Sequence, residues 1–219
     1  MELVDVDTRQ AYDRIRETII TLELAPGTLV NEQQLAEDLH MGAVPVREAL
    51  KLLAHDELIV ITPRHGLYVA DISLPDLEQI SEVRLTLEPL CAGLAARRAT
   101  SDDLTVLEAL RTEQAAIDPG DSRRLLDVDH KFHQAIVRAA GNKYLIRILE
   151  HLFGLSQRLW YMALPRLDVL PTAVAEHLKM VAAIKSRDAD QARKIMHDHV
   201  SEFYDSVRNI LDSSAKYTE

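Results

Sequence analysis

Glycine and proline are scarce in this 219-residue chain, at 7 and 8 residues. With many Leu, Ala, Glu and Arg, that scarcity favours helix over sheet. The single cysteine, Cys91, excludes an intrachain disulfide framework and leaves a reducing cytoplasm as the expected compartment. No apolar run is long enough to span a bilayer, so no membrane partner is expected. The opening MELVDVDTRQAYDR is acidic and has no apolar h-region, which argues against a signal peptide. Positive charge is also in deficit, with 25 Lys+Arg against 35 Asp+Glu and a net charge of −10. Such a balance speaks against a nucleic-acid partner unless basic residues cluster locally. What the chain has in quantity is apolar side chains: 47% of residues are hydrophobic, ample for a packed core.

Dividing the chain at Asp71 does not isolate a basic domain. Residues 1–71 hold 6 Lys+Arg and 13 Asp+Glu, a balance of −7; residues 72–219 hold 19 and 22, a balance of −3. The two parts nevertheless read differently. In the first, Ala11, Ile15, Ile19 and Leu22 recur at helical spacing until Ala25-Pro26-Gly27 breaks it. Asn31 can cap a short second helix, with Gln34 in the capping-box position. After His40-Met41-Gly42 a third helix is expected from about Ala43 to His55, with Pro45 tolerated in its first turn. Leu58–Ile61 and Leu67–Ala70 then read as strands around the turn Thr62-Pro63-Arg64-His65-Gly66.

Beyond Asp71 only helices are expected. Ser73-Leu74-Pro75-Asp76 is a helix start, followed by apolar steps from Leu77 to Leu94. Further helices are expected at about 101–117, 122–140, 143–164, 172–186 and 188–212. Six helices with short connections predict an antiparallel bundle. The expected fold is thus mainly α: a winged helix-turn-helix over 1–71 and an all-α bundle over 72–219.

Helix, helix, helix, hairpin is the order of a winged helix-turn-helix, in which the third helix enters the major groove and the hairpin reaches the adjacent backbone. Val46, Ala49, Leu50 and Leu53 form its buried stripe, while Arg47 and Lys51 share the neighbouring exposed face. Arg can grip phosphate or guanine bidentately and Lys supplies a point charge, although both residues would also suit a plain solvated surface.

The stretch LAPGTLVNEQQLAEDLHMGAVPVREALKLLAHDELIVITPRHGLYV resembles the GntR family of bacterial transcription regulators. The telling residues are Pro26-Gly27, Leu35-Ala36, Pro45-Val46-Arg47-Glu48-Ala49-Leu50, and His65-Gly66 followed by Val69. The resemblance implies a DNA operator as partner, contacted by Arg47, Lys51, Arg64, His65 and Gly66. It also exposes a departure. Where the family usually has a Gly-Val-Ser-Arg-Thr type run, this chain has His40, Met41, Gly42, Ala43 and Val44. Phosphate anchoring by Arg47 carries over; base preference at the helix start does not.

Six of the nine histidines lie in the second part. At about 100° per residue, Asp129 and His133 share the apolar stripe of Leu125, Phe132, Ile136 and Ala140. His177 falls with Val174, Val181 and Ile184, and His199 with Ile195, Phe203 and Ile210. His197 turns outward, and His130 and His151 are expected at the surface. One carboxylate and three imidazoles on three helices therefore face an apolar interior. They either satisfy one another by hydrogen bonds or hold a divalent ion: Zn first, with Ni, Mn or Fe possible.

Asp129-x-x-x-His133, Ala140-Gly141-Asn142, Glu176-His177, and Met196 with His199 resemble the FCD effector domain of the FadR subfamily of GntR regulators. The resemblance covers nearly all of residues 72–212. It implies a homodimer and a metal held by Asp129, His133, His177 and His199. It also implies a small carboxylate effector met by Arg84 and Asn142. Arg84 could instead be a surface residue paired with Glu88 at i+4, and Asn142 a helix cap beside Gly141. A metal-dependent enzyme acting on a small carboxylate is the alternative from another class, but no H-E-x-x-H motif or paired E-x-x-H is present. A metal-free acyl-ligand sensor conflicts with the histidine set.

Overall fold

The computed structural model describes residues 5–167 and 170–215. Its elements run α1 (Val6–Ile20), β1 (Leu29–Val30), α2 (Glu32–Leu39), α3 (Ala43–His55), β2 (Ile59–Thr62) and β3 (Gly66–Val69). Then come α4 (Leu74–Arg98), α5 (Ser101–Ala115), α6 (Ser122–Ala139), α7 (Lys143–Ala163), a 3-10 turn (Leu164–Arg166), α8 (Leu170–Lys185) and α9 (Ala189–Ala215). The chain divides between Ser73 and Leu74 into two compact units. The fold is mainly α, a winged helix-turn-helix followed by a helical domain. Among the described residues no helix is long and apolar enough to cross a membrane.

In the first unit the four-residue spacing of Ala11, Ile15 and Ile19 places all three on the buried side of α1, which packs on α3, where Val46, Ala49 and Leu53 are buried too. Asn31 caps α2 by accepting from the amides of Gln33 and Gln34. Gln34 does not complete a capping box; its side chain turns forward to Asp38. The helix ends where His40 takes a left-handed φ of 54° and Arg14 donates to the Leu39 carbonyl at 2.8 Å. That left-handed residue makes the turn into α3 tight. A two-residue strand, β1, joins the hairpin in the antiparallel order β1-β3-β2, with Leu29 opposite Tyr68. Two residues carry no readable alternation, so the hairpin alone is apparent in the sequence.

The second unit is built on α4 packed along α9, with α6 lying against α4, α5, α7 and α8. Its core is fully buried at Ala92, Ala95, Ala96, Leu107, Phe132, Ile136, Ile184 and Ala192. The small residues of α4 permit close approach to α9: the Arg193 side chain lies over Gly93, and a Cβ there would meet Arg193 Nε at 2.5 Å. At the start of α5, Thr100 and Asp103 form a complete capping box, each side chain taking the other's backbone N–H.

Thr100→Ala removes the acceptor for the Asp103 amide while leaving Asp103 to cap Thr100. The expected cost is about 1 kcal/mol of stability. It should appear in urea denaturation as a lower midpoint with an unchanged slope.

Candidate functional site

Asp121 starts α6 by accepting from the Arg124 amide, which sets the helix phase that carries Asp129 and His133 inward one turn apart. His177 comes from α8 and His199 from α9. All four are buried, none more than 4% exposed. One ligand atom from each lies within 4.8 Å of the others, so the structure brings together the four residues that their helical phases pointed to. His177 Nε2 is 3.3 Å from Asp129 Oδ1, and His133 Nε2 and His199 Nε2 are 3.8 and 3.9 Å from the same carboxylate.

The far side of each ring explains the near side. His133 Nδ1 donates to Glu88 Oε2, His177 Nδ1 to Gln114 Oε1 at 2.7 Å, and His199 Nδ1 to Glu176 Oε2 at 2.7 Å. For His133 and His199 the acceptor is a carboxylate, which can only accept and so holds the hydrogen on Nδ1; for His177 it is the Gln114 amide oxygen, and each neutral ring then presents its Nε2 lone pair. Three Nε2 atoms and a carboxylate then face one point, where His133 Nε2 and His199 Nε2 stand at hydrogen-bond distance and can share a proton. His133 Nε2 and His199 Nε2 are only 2.9 Å apart, and Asp129 Oδ1 and His177 Nε2 lack a hydrogen-bond partner. Buried acceptors crowded in this way are costly unless a cation binds them. The donor set, three imidazole nitrogens and a carboxylate oxygen, fits a divalent metal.

Protonation tendencies differ around the cluster, and a bound cation would have to displace any proton held on a donor nitrogen. Burial, reinforced by the neighbouring His199 and His133, drives the His177 pKa well below its ordinary value, so the ring is neutral. Burial alone would raise the Glu88 carboxyl, but Arg84 and His133 outweigh it and hold the group at about 2. His199 is pushed the other way: burial lowers its pKa, yet its bond to Glu176 and the charge of Asp129 raise it overall.

Beside the cluster lies a small cavity lined by Ser81, Arg84, Trp160, Phe203 and Tyr204, with Asp129, His133 and His199 in its wall. Its free volume is about 10 Å³, room for a single water. Arg84 does pair with Glu88, at 2.6 Å, but in the interior rather than on the helix surface: it is 6% exposed. Its guanidinium also donates to Ser156 Oγ and sits over the Trp160 and Phe153 rings, 4.6 and 5.1 Å from their centroids. Asn142 is elsewhere. Its side-chain oxygen caps α7 through the amides of Tyr144 and Leu145, and it is not among the cavity's lining residues.

His130, expected at the surface, is buried and meets Phe153 edge-on, because α7 covers the flank of α6 that a single-helix projection leaves open. Glu88, Gln114 and Glu176 were missed as imidazole partners. Only Glu88, four residues after Arg84 on a buried helix, carried any local signal.

In the first unit, Arg47 and Lys51 lie exposed on α3, as their spacing predicts. Each has an acidic neighbour: Arg47 bonds Glu32 at 3.0 Å and Lys51 bonds Glu48 at 2.7 Å. Of the other basic residues, Arg9 pairs with Asp13, and Arg14 is occupied at the end of α2. Arg64, His65 and Gly66 occupy the β2–β3 turn, closed by His65 N–H to the Thr62 carbonyl. Pro63 followed by left-handed Arg64, φ 66°, is the order a type II turn requires. Gly66 has φ 113°, a conformation a side chain would strain, and a Cβ there would stand 3.1 Å from Leu29 Cδ1. The tip is thereby held in a defined shape.

Comparison with known proteins bears on both units. The description "Bacterial regulatory proteins, gntR family" matches residues 7–69, and "FCD domain" matches residues 79–202. The HTH-type transcriptional repressor RspR of Escherichia coli (strain K12) is 29% identical over 210 residues, covering 95% of this chain and 92% of the relative. The HTH-type transcriptional regulator YdhC of Bacillus subtilis (strain 168) is 26% identical over 208 residues, covering 93% and 92%. Among solved structures, E. coli McbR/YncC superposes with a TM-score of 0.82 at 24% identity, over 98% of this chain and 100% of that one, a likeness of fold.

Four inward donors should bind close to one divalent ion per chain, measurable by elemental analysis after dialysis against trace metal. His177→Ala should lower both metal content and melting temperature, since metal binding contributes to folding. Gln114→Leu, which leaves all four donors in place but frees the His177 ring, should weaken metal affinity about 10–100-fold in chelator competition. Absence of any bound metal, with none taken up on titration, contradicts the site.

Proposed function

Because the chain belongs to the gntR family of bacterial regulatory proteins and carries an FCD domain, we propose that its DNA binding is controlled by a small organic acid held beside a divalent metal in the second unit. The protein is a DNA-binding transcription regulator, and its family and relatives are regulators rather than enzymes. The observation that carries the effector reading is the convergence of Asp129, His133, His177 and His199 on one point, with three of them, Asp129, His133 and His199, in the wall of the cavity that Arg84 lines.

In this reading Asp129, His133, His177 and His199 hold the ion, Zn first and Ni, Mn or Fe otherwise. When bound, the metal supplies a Lewis-acid anchor for an oxygen of the ligand. Arg84 supplies a second fixed point, a planar guanidinium already oriented by Glu88, Ser156 and the rings of Trp160 and Phe153. Such an Arg favours a carboxylate over a neutral analogue. The cavity has room for a single water, so in this reading the site widens when the acid binds. Asn142 has no part in this pocket as arranged here, and an effector role for it would require the α7 cap to be given up.

On the DNA side, residues 1–71 form the reading unit and 72–219 the sensing and dimerising unit of a cytoplasmic homodimer. Arg47, Lys51 and the Arg64-His65-Gly66 turn contact the operator. Exposed ion pairs contribute about 0–1 kcal/mol, so phosphate can displace Glu32 from Arg47 and Glu48 from Lys51 at little cost. An effector coupling of about 1–3 kcal/mol between the two units would suffice for regulation.

Operator affinity should fall steeply with salt, two heads making on the order of 6–10 phosphate contacts. Arg47→Ala should weaken all duplexes alike and flatten the salt slope by about one unit per head. A dimer that enriches no sequence from a random duplex pool contradicts these contacts.

Arg84→Ala should remove the carboxylate anchor; because it also takes a partner from Glu88, which holds His133, metal content is matched before ligands are compared. Calorimetry with hydroxy, sugar and dicarboxylic acids, at equal metal content, should show a loss of roughly 1.5–3 kcal/mol for the best ligand. Unchanged affinity would restrict Arg84 to its internal pair with Glu88.

A further inference from the structure

The helix-turn-helix geometry sends the N-terminal residues of α3 toward base edges. Around the helix axis Val44, Arg47, Glu48, Lys51 and His55 fall within an arc of about 100°, and all five are exposed. The buried side, with Val46, Ala49, Leu50 and Leu53, lies opposite. Along the exposed face the charged groups all begin at the second turn. The first turn is chemically different. Gly42 caps it without a side-chain bond, and Ala43, Val44, Pro45 and Val46 have no polar side-chain atom.

No side chain of that turn can therefore donate to or accept from a base. Of its residues only Val44 is both large and open to solvent, at 68% exposure. The major-groove edges of the base pairs offer one apolar feature, the C5-methyl of thymine. A branched aliphatic side chain at the reading end of the helix, with no polar competitor in its turn, matches that feature and no other.

We propose that Val44 reads thymine methyl groups in the major groove and is a specificity-determining residue of operator binding. Arg47 and Lys51 then supply the charge that holds the helix in the groove, one and two turns behind it. Burying a methyl-sized group corresponds to about fourfold in affinity, so the contact discriminates modestly at each half-site and multiplies over two.

The experiment uses the full-length protein and duplexes enriched by it from a random pool. Each thymine of an enriched duplex is replaced in turn by deoxyuridine, which deletes the methyl and leaves every hydrogen-bonding group unchanged. The expected result is at least one thymine per half-site whose replacement weakens binding about fourfold. Val44→Ala, at an exposed position where folding is not at stake, should bind the thymine and deoxyuridine duplexes equally, and Val44→Ile should keep the difference. Arg47→Ala should weaken both duplexes in parallel, which separates the loss of charge from the loss of methyl reading. Indifference of the native protein to every deoxyuridine, or a difference that survives Val44→Ala unchanged, overturns the proposal.

Discussion

Each of the three buried imidazoles commits its Nδ1 to an acceptor behind it, and that commitment turns three Nε2 atoms toward Asp129. The acceptors come from Glu88 on α4, Gln114 on α5 and Glu176 on α8, while the rings come from α6, α8 and α9. Five helices are thus registered against one point. Without a cation the point is costly, since Asp129 Oδ1 and His177 Nε2 are buried with no hydrogen-bond partner. The surrounding core of Ala92, Ala95, Phe132, Ile136 and Ile184 offsets that cost and holds the donors in place. A cation bound there would stabilise the second unit as well.

Glu88 connects this centre to the cavity beside it. One of its oxygens takes the Arg84 guanidinium and the other takes His133. Fully buried, it stays ionised because a cation on one side and an imidazole on the other outweigh its desolvation. Arg84 is held by Glu88, Ser156 and two aromatic faces, so a carboxylate entering the cavity would meet a guanidinium already ordered. Arg84, Glu88 and His133 thus belong to one hydrogen-bonded network that joins the cavity to the cluster.

The first unit resolves an apparent contradiction between an acidic chain and a nucleic-acid partner. Its cations are not concentrated by excess; Arg47 and Lys51 are exposed on α3, each balanced by an adjacent acid, and Arg64 is exposed on the β2–β3 turn. Exposed pairs of this kind are weak and screened by salt. Net charge is a poor guide here because binding depends on which side chains project from one helix face, and a sum over the chain carries no such information.

Much of this was legible in the residue order. The limits Ala43 and His55 of α3 follow from Gly42, Pro45 and a four-residue apolar stripe, all local signals. The four metal-donor positions were legible too, because a period of 3.6 puts Asp129 and His133 on one face and places His177 and His199 in apolar stripes of their own. What a helical projection cannot contain is the neighbour. The partners of the three rings lie 45, 63 and 23 residues away along the chain, and His130 is covered by a helix that its own wheel does not include. Arg84 and Glu88 are paired by spacing, but only packing decided that the pair is buried and joined to a histidine. Local periodicity determines which face of each helix turns inward; tautomer, ring orientation and charge state are decided by groups that folding alone brings within 3 Å.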